Sequence, residues 1–408
     1  MKYLITISIF FMTSIAFANP AKNSASICYE QLEAIGSSNG VNEYEEKAAQ
    51  KKIQYCSLGG RHYYSGKTYN GGPVVKKNYS RAFDLFNRAC NGVNTRYAKE
   101  KSKLSCEYVS HMYYEGQGVA KNDKKSFEYA KNICPEGVEK SDRHARRLYG
   151  CGMLGKIYRD GLVVKKDLLM AAGLFRADCL GGENTSSCMQ SYRYGKQSCS
   201  MGKADGCILV AKLYQKVKAD FFDKKNVNNT VNKSTEYLKK ACKVGSGLSC
   251  ATVGNVYFRN KDNRGNINKG LEYYKIACKS KYISACGSVA LYYMNGEGVK
   301  KDHKVSYKYS KIGCGSNGLS CAVLADHYYN GFSVSKSLNK ALRFFIKSCD
   351  YGNTYGCSRT AEIYMNGSGV KKNTKKALKY RIKQCKSQGR VPDNYCERIT
   401  EKDLLKIK

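Results

Sequence analysis

Apolar positions along this chain recur with a helical period, and the same arrangement returns again and again. Eight cysteines, Cys56, Cys106, Cys151, Cys207, Cys250, Cys286, Cys321 and Cys357, each have a tyrosine seven residues on: Tyr63, Tyr113, Tyr158, Tyr214, Tyr257, Tyr293, Tyr328 and Tyr364. Four residues on stands a small residue, as in Gly60, Ser110, Gly155 and Ala290. Positions i, i+4 and i+7 share one face of a helix. Each cysteine is therefore predicted to head an amphipathic helix A, with cysteine, small residue and tyrosine as its buried stripe. Ten residues on there is usually glycine (Gly66, Gly116, Gly161, Gly296, Gly331, Gly367), with Asn260 and Val217 as exceptions. A helix C-terminus favours such a residue because it tolerates positive φ.

A basic loop follows, for instance Gly298-Val299-Lys300-Lys301-Asp302, and Asn122, Asp167, Asp302 and Asn373 fall where an N-cap is needed. A second helix, B, is predicted next, with Ala341, Phe345 and Cys349 at helical spacing. The period is 35 or 36 residues in the last complete units. A single hairpin of this kind cannot bury its apolar face, so neighbours must stack. The expected fold is all-α: an α/α superhelical solenoid of helix-turn-helix repeats cross-linked by disulfides.

The cross-links follow from the turns. The cysteine ending one B helix lies close in sequence to the cysteine opening the next A helix: Cys179/Cys188, Cys199/Cys207, Cys242/Cys250, Cys278/Cys286, Cys314/Cys321 and Cys349/Cys357. Short turns bring such pairs within disulfide range. Cys28/Cys56, Cys90/Cys106, Cys134/Cys151 and Cys385/Cys396 fit the same role around longer connections. Cys188 and Cys199 are only eleven residues apart, so the unit between them reads as truncated.

Composition narrows the setting. Residues 1–18 read as a signal peptide, with Lys2, an apolar run from Leu4 to Ala16 and an Ala16-Phe17-Ala18 cleavage site. Twenty cysteines behind such a signal point to an oxidising, extracytoplasmic compartment, secreted or periplasmic. No Cys-x-x-Cys occurs and only five histidines are present, so zinc spacing is missing and no metal or cofactor is expected. The expected organisation is a capping segment over 19–55, the repeat solenoid over 56–396 and a basic tail over 397–408. No transmembrane segment is expected in the mature chain, which reads as a monomer.

The small residue, tyrosine, Gly-x-Gly-Val, paired basic residues and a second helix ending in cysteine resemble the Sel1-like repeat. With paired cysteines added, the pattern is similar to the Helicobacter cysteine-rich protein family. The resemblance implies a secreted or periplasmic solenoid with helix A on the concave side. It also implies either host contact, or penicillin binding and weak β-lactamase activity.

The residues favour binding over that chemistry. Ser-x-x-Lys occurs at Ser200/Lys203, Ser333/Lys336, Ser337/Lys340 and Ser368/Lys371, about the number chance gives in so serine- and lysine-rich a chain, without Ser-Asp-Asn or Lys-Thr-Gly. His62, His111 and His327 recur near the helix A tyrosine and read as a partly exposed face. Tyr64, Tyr114 and Tyr329, one position past the buried tyrosine, are candidate surface anchors. Lys165, Lys166, Lys300, Lys301, Lys371 and Lys372 recur in the loop before helix B, where stacking would align them as a basic edge. With a formal charge of +37 and no nucleic-acid motif, the expected partners are a protein or peptide, or an anionic envelope or host-surface polymer, and not nucleic acid.

Overall fold

The computed structural model describes residues 24–26, 28, 43–67, 76–91, 96–134, 150–182, 184–216, 227–259 and 264–388. The signal segment, the 397–408 tail and Cys396 lie outside them. Among the described residues every regular element is a helix. The helices run in pairs: α1 (Glu43–Ser65) with α2 (Tyr79–Asn91), α3 (Arg96–Glu115) with α4 (Asp123–Ile133), and α5 (Cys151–Asp160) with α6 (Leu168–Gly182). Then α7 (Thr185–Ser200) stands alone. The pairs resume as α8 (Ala204–Lys216) with α9 (Val227–Lys243), α10 (Gly247–Phe258) with α11 (Arg264–Lys279), and α12 (Ile283–Asn295) with α13 (His303–Gly313). The last are α14 (Gly318–Asn330) with α15 (Leu338–Asp350), and α16 (Thr354–Asn366) with α17 (Thr374–Gln388). The chain divides into two units, residues 1–201 with 212–230, and residues 202–211 with 231–408. The lone α7 carries both Cys188 and Cys199, which is why that repeat has no B helix of its own.

Helix starts depart from the expectation. The cysteine does not head helix A, except Cys151 in α5; it sits one turn in from α8 onward, and deeper still in α1 and α3. The N-cap comes four residues earlier, where the side chains of Ser246, Asn317 and Asn353 accept from the N–H groups of Ser249, Ser320 and Gly356. These caps satisfy donors that the helix itself leaves open. Likewise α1 starts at Glu43, so residues ahead of Cys56 belong to the first A helix. The B helices start where the sequence places them, with Asn122, Asp167, Asp302 and Asn373 accepting from the first-turn N–H groups.

The small residue four positions after the cysteine is there because an aromatic ring of helix B lies on it. A Cβ on Gly60 would come 2.7 Å from the Phe86 ring, and one on Gly254 would come 2.6 Å from Tyr274. Contacts this close draw rings such as Phe86 and Phe345 wholly out of water. Each such burial contributes about 2–3 kcal/mol. Buried serines fasten the same contact, as where Ser306 Oγ donates to the Ala290 carbonyl at 2.8 Å.

The two loop glycines have separate tasks. The first, such as Gly296 with φ +75°, ends helix A in the left-handed conformation. The second, two residues later, meets the preceding B helix: a Cβ on Gly298 would lie 2.6 Å from Ile267, and one on Gly369 would lie 2.5 Å from Leu338.

Eight of the expected disulfides are formed between described residues: Cys28–Cys56, Cys90–Cys106, Cys134–Cys151, Cys179–Cys188, Cys242–Cys250, Cys278–Cys286, Cys314–Cys321 and Cys349–Cys357. Their Cα separations run from 4.4 to 5.0 Å, inside the range the bond requires. Cys199, Cys207 and Cys385 are disulfide-bonded as well.

Two side-chain expectations need correcting. His62 and His327 are fully buried, not partly exposed. Six residues after the cysteine, the imidazole turns toward helix B and its loop, where Nδ1 meets the Lys67 and Phe332 carbonyls at 3.0 and 2.8 Å. The tyrosine seven residues on is fully buried only as Tyr63 and Tyr113; elsewhere it is half-buried at the core's edge. There it stacks on an aromatic of helix B, as in Tyr257 on Tyr273 and Tyr364 on Tyr380.

Candidate functional site in the helix A cleft

Successive A helices leave a second stripe uncovered by their own B helices. Counted from the cysteine it lies two before and one, two, five and eight after, which is again one side of a helix. In the first unit this stripe on α1, α3, α5 and α7, with the end of α6, lines a cleft of about 340 Å³. Tyr64, Tyr108 and Phe175 supply aromatic surface, His111, Lys156 and Arg159 the basic groups, and Glu107 and Asp178 the acidic ones.

The charges are differently committed. Arg159 donates from Nε and Nη2 to the two oxygens of Asp160, at 2.6 and 2.7 Å, and from Nη2 to the Tyr114 hydroxyl at 3.1 Å. Tyr114 donates to the same carboxylate. That arrangement holds Asp160 below the usual carboxylate range, while burial and the neighbouring carboxylate push Tyr114 up to about 12. Asp178, on the far wall, accepts from Asn184 Nδ2 at 2.9 Å and from Ser187 Oγ. Lys156 differs. Half-buried, it lies 5.7 Å from the Tyr114 ring centre, and no carboxylate of the described residues is within ion-pair distance. Burial lowers its pKa, and Lys156 in turn adds to the burial that lowers His111. The cleft thus offers a half-buried lysine beside the Tyr114 ring, with Glu115, Asp160 and Glu107 near enough to pull its pKa up against the burial.

The second unit repeats the stripe with other residues. Tyr355 Oη donates to Asp326 Oδ1 at 3.0 Å, and Arg359 lies 4.6 Å from the Tyr329 ring centre and 2.6 Å from Glu362. Burial raises Asp326 to about 6, against the opposing pull of the Tyr355 hydrogen bond and Arg359.

The sequence-derived candidates scatter. Tyr64 lines the cleft and meets His111 Nδ1 through its hydroxyl at 3.4 Å. Tyr114 and Tyr329 are not free anchors: eight positions after the cysteine, each is half-buried and covered by an arginine of the following A helix. Lys165, Lys166, Lys300, Lys301, Lys371 and Lys372 are all exposed in the loops before helix B, and none is among the residues that line the cleft. The serines of the Ser-x-x-Lys matches have structural partners or loop positions. Ser337 caps α15, Ser200 Oγ donates to the Gln197 carbonyl, Ser333 is an exposed residue at φ 60°, and Ser368 lies in a glycine loop. Lys156, Arg159, Asp326 and Arg359 were missed, although their shared spacing from the cysteine is itself a helical stripe.

Stacked helical hairpins whose A helices together wall a cleft define a repeat scaffold. The chain belongs to the Sel1 repeat family, whose pattern it matches over residues 56–94, 104–132, 148–177, 263–282, 283–314, 318–353 and 354–380, just over half its length. It is similar to a Sel1 repeat protein from Oxalobacter formigenes (18% identity, 68% of this chain and 96% of that one, TM-score 0.39). It is also similar to a protective antigen of uropathogenic Escherichia coli displaying an SLR fold (17% identity, 90% and 93%, TM-score 0.30). A Sel1 repeat protein from Klebsiella pneumoniae matches at 14% identity over 53% of this chain and 99% of that one, with a TM-score of 0.29. No curated protein matches.

Proposed function

We propose that this chain is an exported binding scaffold of the cysteine-rich branch of the family, holding a protein or peptide segment against the A helices of its first unit. One observation carries the reading: four successive A helices contribute side chains to one cleft, where Lys156 is half-buried without a carboxylate in ion-pair range among the described residues. Groups spaced along a helix stack suit an extended ligand that touches several repeats. A cation beside an aromatic ring suits a carboxylate-bearing one. The disulfides support a life outside the cytoplasm, where glutathione does not reduce them. In this reading residues 1–18 are removed on export, residues 56–396 form the scaffold, and the β-lactam chemistry attributed to the resembling family has no residue arrangement behind it.

A photo-reactive residue at Gln190, in the cleft, tests this against the same residue at Lys347, on an outer face. Oxidised mature protein is irradiated in envelope extract. The expected result is a partner captured from Gln190 and abolished by Lys156→Glu. Capture from Lys347 alone would overturn the assignment.

A further inference from the structure

The outer face of the last B helices carries a charge pattern that the cleft does not explain. On α13, Lys304, Lys308 and Lys311 follow the i, i+4, i+7 spacing, and on α15 Lys340, Arg343 and Lys347 do nearly the same; all six are exposed. The opposite sides of these helices bury Ser306, Tyr309, Ala341 and Phe345. Lys379 continues the row on α17. Asp350 is the one carboxylate in the three helices, and Lys383 of α17 already occupies it at 2.5 Å. Lys308, Arg343 and Lys379 each stand six residues before the helix B cysteine, so stacking sets them side by side.

Large apolar side chains break the surface along one edge of the same face. Ile276 and Ile312, each two residues before the helix B cysteine, are 43% and 48% exposed, and Tyr351 is 44% exposed. Ile312 directly follows Lys311 on the basic stripe. Tyr351 Oη donates to the Gly315 carbonyl at the preceding turn, so these turns are in contact.

We propose that the B-helix face of α13, α15 and α17 docks on an anionic lipid surface, with their basic rows over the headgroups and Ile312, Tyr351 and, from the adjoining edge of α11, Ile276 entering the interface. Charge decides for an anionic partner, because the outer rows of α13, α15 and α17 hold no free carboxylate, the row ending at Glu272, which takes the equivalent position of α11, and such a surface repels cations and gains from a dense negative field. The aliphatic row decides for lipid over a linear polyanion. A nucleic acid or sulfated chain gives exposed isoleucine nothing to enter, whereas a bilayer takes up aliphatic and tyrosine side chains beside lysine.

The test uses oxidised mature protein and sedimentation with vesicles of phosphatidylcholine alone or with about one-third phosphatidylglycerol, a composition giving a strongly negative surface. A soluble sulfated polysaccharide and a short DNA duplex serve as linear polyanions. Anionic vesicles should bind at least about tenfold more tightly than neutral ones, and the K308E/R343E/K379E variant should lose most of that difference. The I276S/I312S variant should lose at least about threefold on vesicles while its affinity for the two soluble polymers stays unchanged. All substituted side chains are exposed, and unchanged thermal unfolding verifies that each variant is folded. Equal binding to the two vesicles, retention by the charge-reversed variant, or isoleucine substitutions without effect on vesicles would each overturn the proposal. The last would leave a plain polyanion surface.

Discussion

The ring of Tyr328 lies flat on that of Phe344, with centroids 5.5 Å apart and planes 11° apart. Lys340, one helical turn before Phe344 on α15, lies 5.4 Å from the same tyrosine centroid. One B helix therefore holds the tyrosine of its partner by an aromatic ring and a cation at i and i+4. Lys125 and Tyr129 hold Tyr113 in the same way, as Lys376 and Tyr380 hold Tyr364. Phe344→Ala should cost about 2 kcal/mol and Lys340→Ala about 0.5 kcal/mol of unfolding free energy. A double-mutant cycle with Tyr328→Leu should assign most of the lysine effect to the ring. Additive losses would show that the stack is incidental.

Glycines in the loops should fall into two classes. Gly352 has φ +78° with nothing within 4 Å of a built Cβ, so Gly352→Ala meets conformational strain alone, about 1 kcal/mol. Gly298 has φ +69° and Ile267 at 2.6 Å, so Gly298→Ala should cost about 2 kcal/mol or more. Ser333 holds the position equivalent to Gly298 at φ 60°, and Ser333→Gly should stabilise by up to about 1 kcal/mol. Denaturant unfolding of the three variants gives the order directly.

Disulfides closing loops of different length should differ in value. Cys314 and Cys321 are 7 residues apart and Cys28 and Cys56 are 28 apart. The chain-entropy account gives about 2.5 and about 3.5 kcal/mol for them. Replacing each pair by alanine and comparing unfolding free energies under oxidising conditions measures the difference. A larger loss from the Cys314–Cys321 pair would mean that native packing, and not loop closure, sets the scale.

Adjacent residues Asp326 and His327 should act oppositely on the pH profile. Burial raises Asp326 from 3.8 to about 6, so the folded state holds its proton more tightly and stability falls as pH rises between about 4 and 6. Burial lowers His327 from 6.5, so the unfolded state holds that proton more tightly and stability is lost as pH falls below about 6.5. Melting temperatures from pH 4 to 8 should show Asp326→Asn gaining on the parent as pH rises. For His327→Gln the deficit should shrink as pH falls. Curves parallel to the parent for both variants would refute the assignment.

Much of this was legible because it is local. The cysteine, small residue and glycine at fixed offsets read directly as helix, close packing and helix end, and the N-cap residues stand immediately before their helices. Four cysteine pairs of the second unit could be read because each spans one short turn. The cleft was not legible in the same way: Lys156 and Tyr114 belong to different repeats, and their relation exists only once the A helices are stacked. The histidines misled for a similar reason. Position six after the cysteine borders the tyrosine stripe on a helical wheel, yet the Phe332 carbonyl that His327 meets comes from the loop beyond the helix.

Apart from Cys28–Cys56, each of the disulfides between described residues joins a B helix to the A helix that follows it. Covalently the chain is a string of small closed rings joined by single strands through the glycine loops. A protease cut inside one of the rings leaves its two fragments tied together and invisible until reductant is added. A cut at a glycine loop, where exposed Lys300 and Lys301 invite trypsin, leaves only packing to hold the pieces. The molecule thus tolerates backbone damage on one edge of each repeat and is severed by it on the other.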